Sequence, residues 1–104
     1  MKAIINGKRY DTDKASLIGE ACASCPRNDF RYWDAGLYKT AAGNFFLAGE
    51  GGPMTRWAVP AGNTATAGSS GIFALDSEEA LRWAEEHLDP DKVESAFGDM
   101  IEDA

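Results

Sequence analysis

Two sets of residues in this 104-residue chain have types and spacing that could do chemistry. The first is Cys22 and Cys25, a Cys-x-x-Cys pair in the run Ala21-Cys22-Ala23-Ser24-Cys25-Pro26. A thioredoxin-type redox pair needs a helix N-terminus to stabilise the thiolate. Here the pair falls at the expected end of a helix, where the dipole disfavours an anion. A structural zinc ion needs four ligands, and the single histidine, His87, leaves the set one short unless carboxylates or a second chain contribute. The third reading, two reduced and partly buried thiols beside a helix terminus, needs no further partner.

The second set is a concentration of carboxylates. Residues 1–75 carry 8 Lys/Arg and 6 Asp/Glu, a balance of +2. Residues 76–104 carry 11 Asp/Glu against Arg82 and Lys92, a balance of −9 in a chain of net charge −7. Glu78, Glu79, Glu85, Glu86, Asp89, Asp91 and Glu94 are the members expected to project from two consecutive helices. A helix selected for solubility alone mixes its signs to gain pairs at i,i+4. An array with so few compensating cations can instead engage a basic surface, including one that holds nucleic acid. It can also be a solvated face whose first-turn acids complement the helix dipole.

Three weaker signals lie elsewhere. Gly49-Glu50-Gly51-Gly52-Pro53 follows a strand pattern but lacks the spacing of either phosphate-binding fingerprint, and Glu50 would repel phosphate. It reads as a structural turn, or as a recognition loop carrying Met54, Arg56 and Trp57, with Glu50, Arg56 and Trp57 as the secondary partner-binding residues. The aromatics Phe30, Tyr32, Trp33, Tyr38, Phe45 and Phe46 have few basic residues between them, so they read as core rather than as a base-stacking platform. His87 lies on the apolar side of its helix, and no nucleophile motif surrounds any Ser or Cys. No catalytic residue, metal site or cofactor is assigned, and the chain is expected not to be an enzyme.

The elements that must position these residues follow from pattern. Asn6-Gly7 between Lys2–Ile5 and Lys8–Tyr10 predicts a tight hairpin. Asp11 or Thr12, followed by Ala15, Ile18, Ala21 and Cys22, predicts an N-terminal helix that stops before Pro26. Asp29–Trp33, Leu37–Thr40, Phe45–Ala48 and Ile72–Leu75 predict strands, with a turn at Ala41–Asn44. Segment 58–71, rich in Ala, Gly, Thr and Ser, predicts a flexible loop. Asp76-Ser77-Glu78-Glu79 is a capping box. It opens a helix with Ala80, Leu81, Trp83, Ala84, His87 and Leu88 on one side and its glutamates and Arg82 on the other. A second helix starts at Asp89-Pro90, docks through Val93, Ala96 and Phe97, and ends at Gly98.

The expected fold is therefore α+β: one domain over 1–104, with an antiparallel sheet of four to five strands packed by one N-terminal and two C-terminal helices. An apolar content of 44% with eleven aromatics suits a folded core. No apolar run approaches the roughly 18 residues that span a bilayer. The first residues lack the apolar stretch of a secretory signal, so a cytoplasmic location is expected. The negative balance argues against direct nucleic-acid or anionic-membrane binding.

Three segments carry a resemblance. They are Asn6-Gly7-Lys8-Arg9-Tyr10-Asp11-Thr12, then Leu37–Thr40 through Gly43–Leu47 to Glu50–Met54, and finally Glu78-Glu79-Ala80 with Trp83-Ala84-Glu85. Together they resemble a widespread group of small bacterial and phage proteins that recur on mobile elements. In size and charge the chain looks similar to anti-CRISPR proteins, inhibitors of host defence encoded on such elements. With the acidic segment, this leads to the expectation of a non-enzymatic inhibitor, monomeric or weakly dimeric. Its partner would be a host protein with a basic nucleic-acid-binding surface, such as a CRISPR effector. A small Cys-x-x-Cys metal or thiol-redox module, or a regulatory protein-interaction adaptor, are the alternatives.

Overall fold

Asn6 and Gly7 hold φ values of 52° and 78°. A two-residue type I′ turn requires this left-handed backbone, and Gly adopts it without a Cβ clash. The turn joins β1 (Lys2–Ile5) to β2 (Lys8–Asp11), with Ala3 opposite Tyr10. The structure is a computed structural model that describes residues 1–63 and 65–104.

The expected N-terminal helix is not formed: Ser16–Cys22 make strand β3. The ladder between β3 and β4 (Trp33–Lys39) shifts register between Leu17 and Gly19, a bulge that breaks the period of two. Ile18, Gly19 and Ala21 therefore share the helix-facing side, so Ile18 and Ala21 keep the i, i+3 spacing of a helical stripe, whereas Ala15 packs on the opposite face. Gly19 also meets the helical layer closely, since a Cβ there would come within 2.8 Å of the Leu88 side chain.

β4 turns through Thr40–Asn44, where Gly43 has φ 92°, into β5 (Phe45–Gly51). Residues 29–32 are turns rather than strand, so β4 begins at Trp33. Segment 58–71 is also not a bare loop. Val59–Pro60 (β6) pairs with Thr66–Ala67 (β7), and β8 (Ser69–Leu75) begins inside it. Thr64, within that segment, lies outside the described residues. Thr66 Oγ1 donates to the Pro53 carbonyl at 2.8 Å, and the Ser69 hydroxyl donates to the Trp57 carbonyl. These bonds and the β5 ladder order residues whose own strand propensity is low.

The main sheet runs β3-β4-β5-β8, antiparallel throughout. α1 (Ser77–His87) and α2 (Pro90–Phe97) cover one of its faces. That layer buries Leu37, Leu47, Trp57, Ala80, Ala84, Val93 and Phe97. Phe97 stacks on Phe45 with centroids 5.1 Å apart. The β1–β2 hairpin closes part of the opposite face, where Tyr10 meets the fully buried Phe46 edge-on at 5.5 Å. Each large apolar side chain buried in this way contributes about 1.5–3 kcal/mol. Gly49 is required in β5, because a Cβ there would lie 2.6 Å from the Ala35 Cα. The architecture is α+β as expected, with two C-terminal helices and a four-stranded sheet among the described residues. Among the described residues no helix is long and apolar enough to cross a membrane.

Candidate functional site

α1 begins where its sequence dictates. Asp76 Oδ1 accepts the Glu79 amide at 2.8 Å, and Glu79 Oε1 accepts the Asp76 amide at 3.0 Å. The reciprocal bonds satisfy two donors that a helix start leaves open. Asp89 accepts the Lys92 amide at 3.1 Å and starts α2 one residue after α1 closes at Leu88. α2 does not end on a left-handed glycine. Gly98 has φ −51° and ψ −35°, and the chain tightens there into the 3₁₀ turn Gly98–Met100.

Burial of Ala80 and Ala84 fixes the rotation of α1. At about 100° per residue, Glu78, Glu79, Arg82, Glu85 and Glu86 then fan over roughly 120° of the outward side. All seven expected partner-binding carboxylates, Glu78, Glu79, Glu85, Glu86, Asp89, Asp91 and Glu94, are exposed. Among the described residues none of them is in an ion pair with Lys or Arg. Glu86 has a cationic neighbour only if His87 is protonated, its Oε2 lying 3.6 Å from His87 Nε2. Arg82 stands amid four glutamates at three and four residues' distance, yet forms no ion pair among the described residues.

The carboxylates form a ridge between two hollows. On one flank, Glu79, Arg82 and Glu86 border a cleft of about 590 Å³. Its far wall is the loop carrying Met54 and Arg56, and Ala35 and Leu75 lie in its floor. Trp33, Trp83 and His87 pack together there, with centroid separations of 6.3, 4.9 and 4.8 Å. Rings this close are in mutual contact and leave no cage for a cation between them. On the other flank, Glu85 and Glu94 border a second hollow beneath residues 100–103. Asp89 and Asp91 stand at the α1–α2 corner and line neither.

The secondary set of Glu50, Arg56 and Trp57 is not brought together. Trp57 is 3% exposed and meets Phe73 edge-on at 4.9 Å, so it supports the cleft and is unavailable to a partner. Arg56 lies over the Phe73 ring at 5.1 Å, beside the cleft. Glu50 projects from the opposite sheet face, in register with Asp34. Arg27 offsets those two like charges by bonding Asp34 at 3.3 Å.

Cys22 and Cys25 are free thiols, the first exposed at the end of β3 and the second half-buried in the following loop. No helix terminus adjoins the pair, which corrects the helical setting expected for it. Among the described residues no three His, Cys, Asp or Glu side chains are grouped to hold a metal ion. Of the aromatics assigned to the core, Phe30 stands out at 65% exposed.

Sequence reasoning missed the Trp33–Trp83–His87 cluster as a unit, and it missed the second hollow. The available signal for the latter was Met100-Ile101, an apolar pair inside the acidic stretch Asp99–Asp103. Comparisons with protein-family models, curated proteins and solved structures found nothing that matches this chain.

Proposed function

We propose that this protein acts by binding rather than by catalysis. It is a non-enzymatic inhibitor of the anti-CRISPR type. Its α1–α2 carboxylates dock on the basic nucleic-acid-binding surface of a host defence nucleoprotein in the bacterial cytoplasm. The observation that supports this most is the exposure of seven carboxylates on two consecutive helices and the N-cap between them, with only Arg82 and Lys92 to offset them. Such an array attracts a basic protein at long range and competes there with a phosphate backbone. The same charge repels nucleic acid itself, so the partner is protein.

The test is retention of this protein on purified, immobilised CRISPR effector complexes, with wild type beside Glu85→Gln/Glu86→Gln. The expected result is capture of the wild type by one effector, its release by competing nucleic acid, and a clear loss in the variant. Equal capture of both proteins overturns the carboxylate ridge as the contact. No capture by any effector overturns the choice of target.

One observation favours a second reading, a protein-interaction adaptor. The cleft between α1 and the 52–57 loop is open, and Met54 on its rim is 67% exposed. In that case Met54→Ala and Arg56→Ala, rather than the glutamate changes, remove partner binding.

A further inference from the structure

The second hollow combines an apolar floor with a rim of one sign. It occupies about 640 Å³ between α1, α2 and the chain after the 3₁₀ turn. Leu81, Leu88, Val93, Met100 and Ile101 supply its apolar surface. Met100 and Ile101 line the hollow yet remain 41% and 43% exposed. Two large aliphatic side chains left in water beside a hollow mark a surface that gains by being covered. Glu85, Glu94, Glu102 and Asp103 form the rim, and no Lys or Arg among the described residues lines it.

The rim decides what the occupant is. A second copy of this chain would set one segment of charge −9 against another, and like charges brought together at an interface repel. An anionic lipid surface is repelled in the same way. The chain's own basic residues nearest a terminus, Lys2, Lys8 and Arg9, lie on the hairpin, across the sheet from both helices. What fits is a segment with apolar side chains on one face and Lys or Arg on its flanks, the pattern of an amphipathic helix laid in a groove.

We propose that this hollow is a docking groove for a cationic amphipathic helix of the partner protein. Met100, Ile101 and Leu88 bury the helix's apolar face, and the four rim carboxylates meet its Lys and Arg residues. The proposal rests on the reading that a basic partner binds α1 and α2, and it adds the anchor that charge alone does not provide. Carboxylates on a ridge attract any basic surface, whereas an apolar groove selects one whose side chains recur at i, i+3, i+4 and i+7.

The test uses the full-length protein and two fluorescein-labelled Leu/Lys peptides of identical composition, titrated by anisotropy at physiological salt. One peptide has its leucines at helical spacing, and the other has them scrambled. The expected result is at least about tenfold tighter binding of the patterned peptide, a difference that Met100→Ser/Ile101→Ser abolishes without weakening the scrambled one. Both changes are at exposed positions outside the core, and an unchanged circular dichroism spectrum confirms that the fold survives. Equal affinity for both peptides, with no effect of the double change, overturns the groove and leaves binding to a basic partner intact. Failure to bind either peptide overturns the groove and the basic-partner reading together.

Discussion

Asp29 accepts three hydrogen bonds from Arg31: the backbone amide at 2.8 Å, Nε at 3.1 Å and Nη2 at 2.9 Å. The side-chain bonds first, and the amide second, hold its carboxyl down to about 2, below the ordinary 3.8. The folded value is the lower one. The contribution of this clamp is therefore present above pH 3.8 and is lost as the pH falls through about 2. We expect Arg31→Ala to return the Asp29 titration, followed by carboxyl NMR shifts, towards 3.8. An unchanged titration would mean that the guanidinium does not hold the carboxylate in solution. The clamp shapes the turn preceding Trp33 and ties up the charge of Arg31 at the rim of the cleft. Arg56, over the Phe73 ring, keeps its charge, so of the three arginines lining the cleft only Arg31 is offset by a carboxylate partner among the described residues.

The helices that carry the exposed glutamates are secured in two ways that differ in size. Asp76→Ala removes the capping box and should cost about 1 kcal/mol. Phe97→Ala removes a side chain 2% exposed, stacked on Phe45, and should cost about 3–5 kcal/mol. Urea denaturation of the two variants checks the order, and a larger loss for the cap than for Phe97 would contradict the packing described. The same contrast explains what was legible in the sequence. The Asn6-Gly7 turn, the capping box and the Asp89-Pro90 start are local chemistry, read correctly because neighbouring residues alone determine them. β3 was misread because its bulge and Gly19, which admits Leu88 from 69 residues away in sequence, depend on contacts that periodicity does not contain. Ser69, Ser70 and Gly71 become strand because β5 offers them a ladder. The seven carboxylates could be placed on exposed helical positions from spacing alone. Their division between two hollows could not, because it depends on how α1 meets the sheet and on where residues 100–103 return.

At the scale of the whole molecule, a body of balance +2 presents two helices and a terminus of balance −9. Charge so placed steers association and makes it depend on salt, since screening shortens the reach of exposed charges to about 8 Å at physiological ionic strength. The apolar floor of the proposed groove would add a contribution that salt does not screen, while its four rim carboxylates are screened together with those of the ridge. Charge and apolar contact therefore separate experimentally: on this proposal the carboxylates of ridge and rim govern the salt dependence, and the apolar floor governs the residual affinity. The most direct measurement of the central claim is the dissociation constant for the retained effector at about 50 and about 200 mM salt, for wild type and for Glu85→Gln/Glu86→Gln. The account predicts at least about tenfold weakening of the wild type over that range and a shallower dependence in the variant. An affinity insensitive to salt and equal in the two proteins would contradict it.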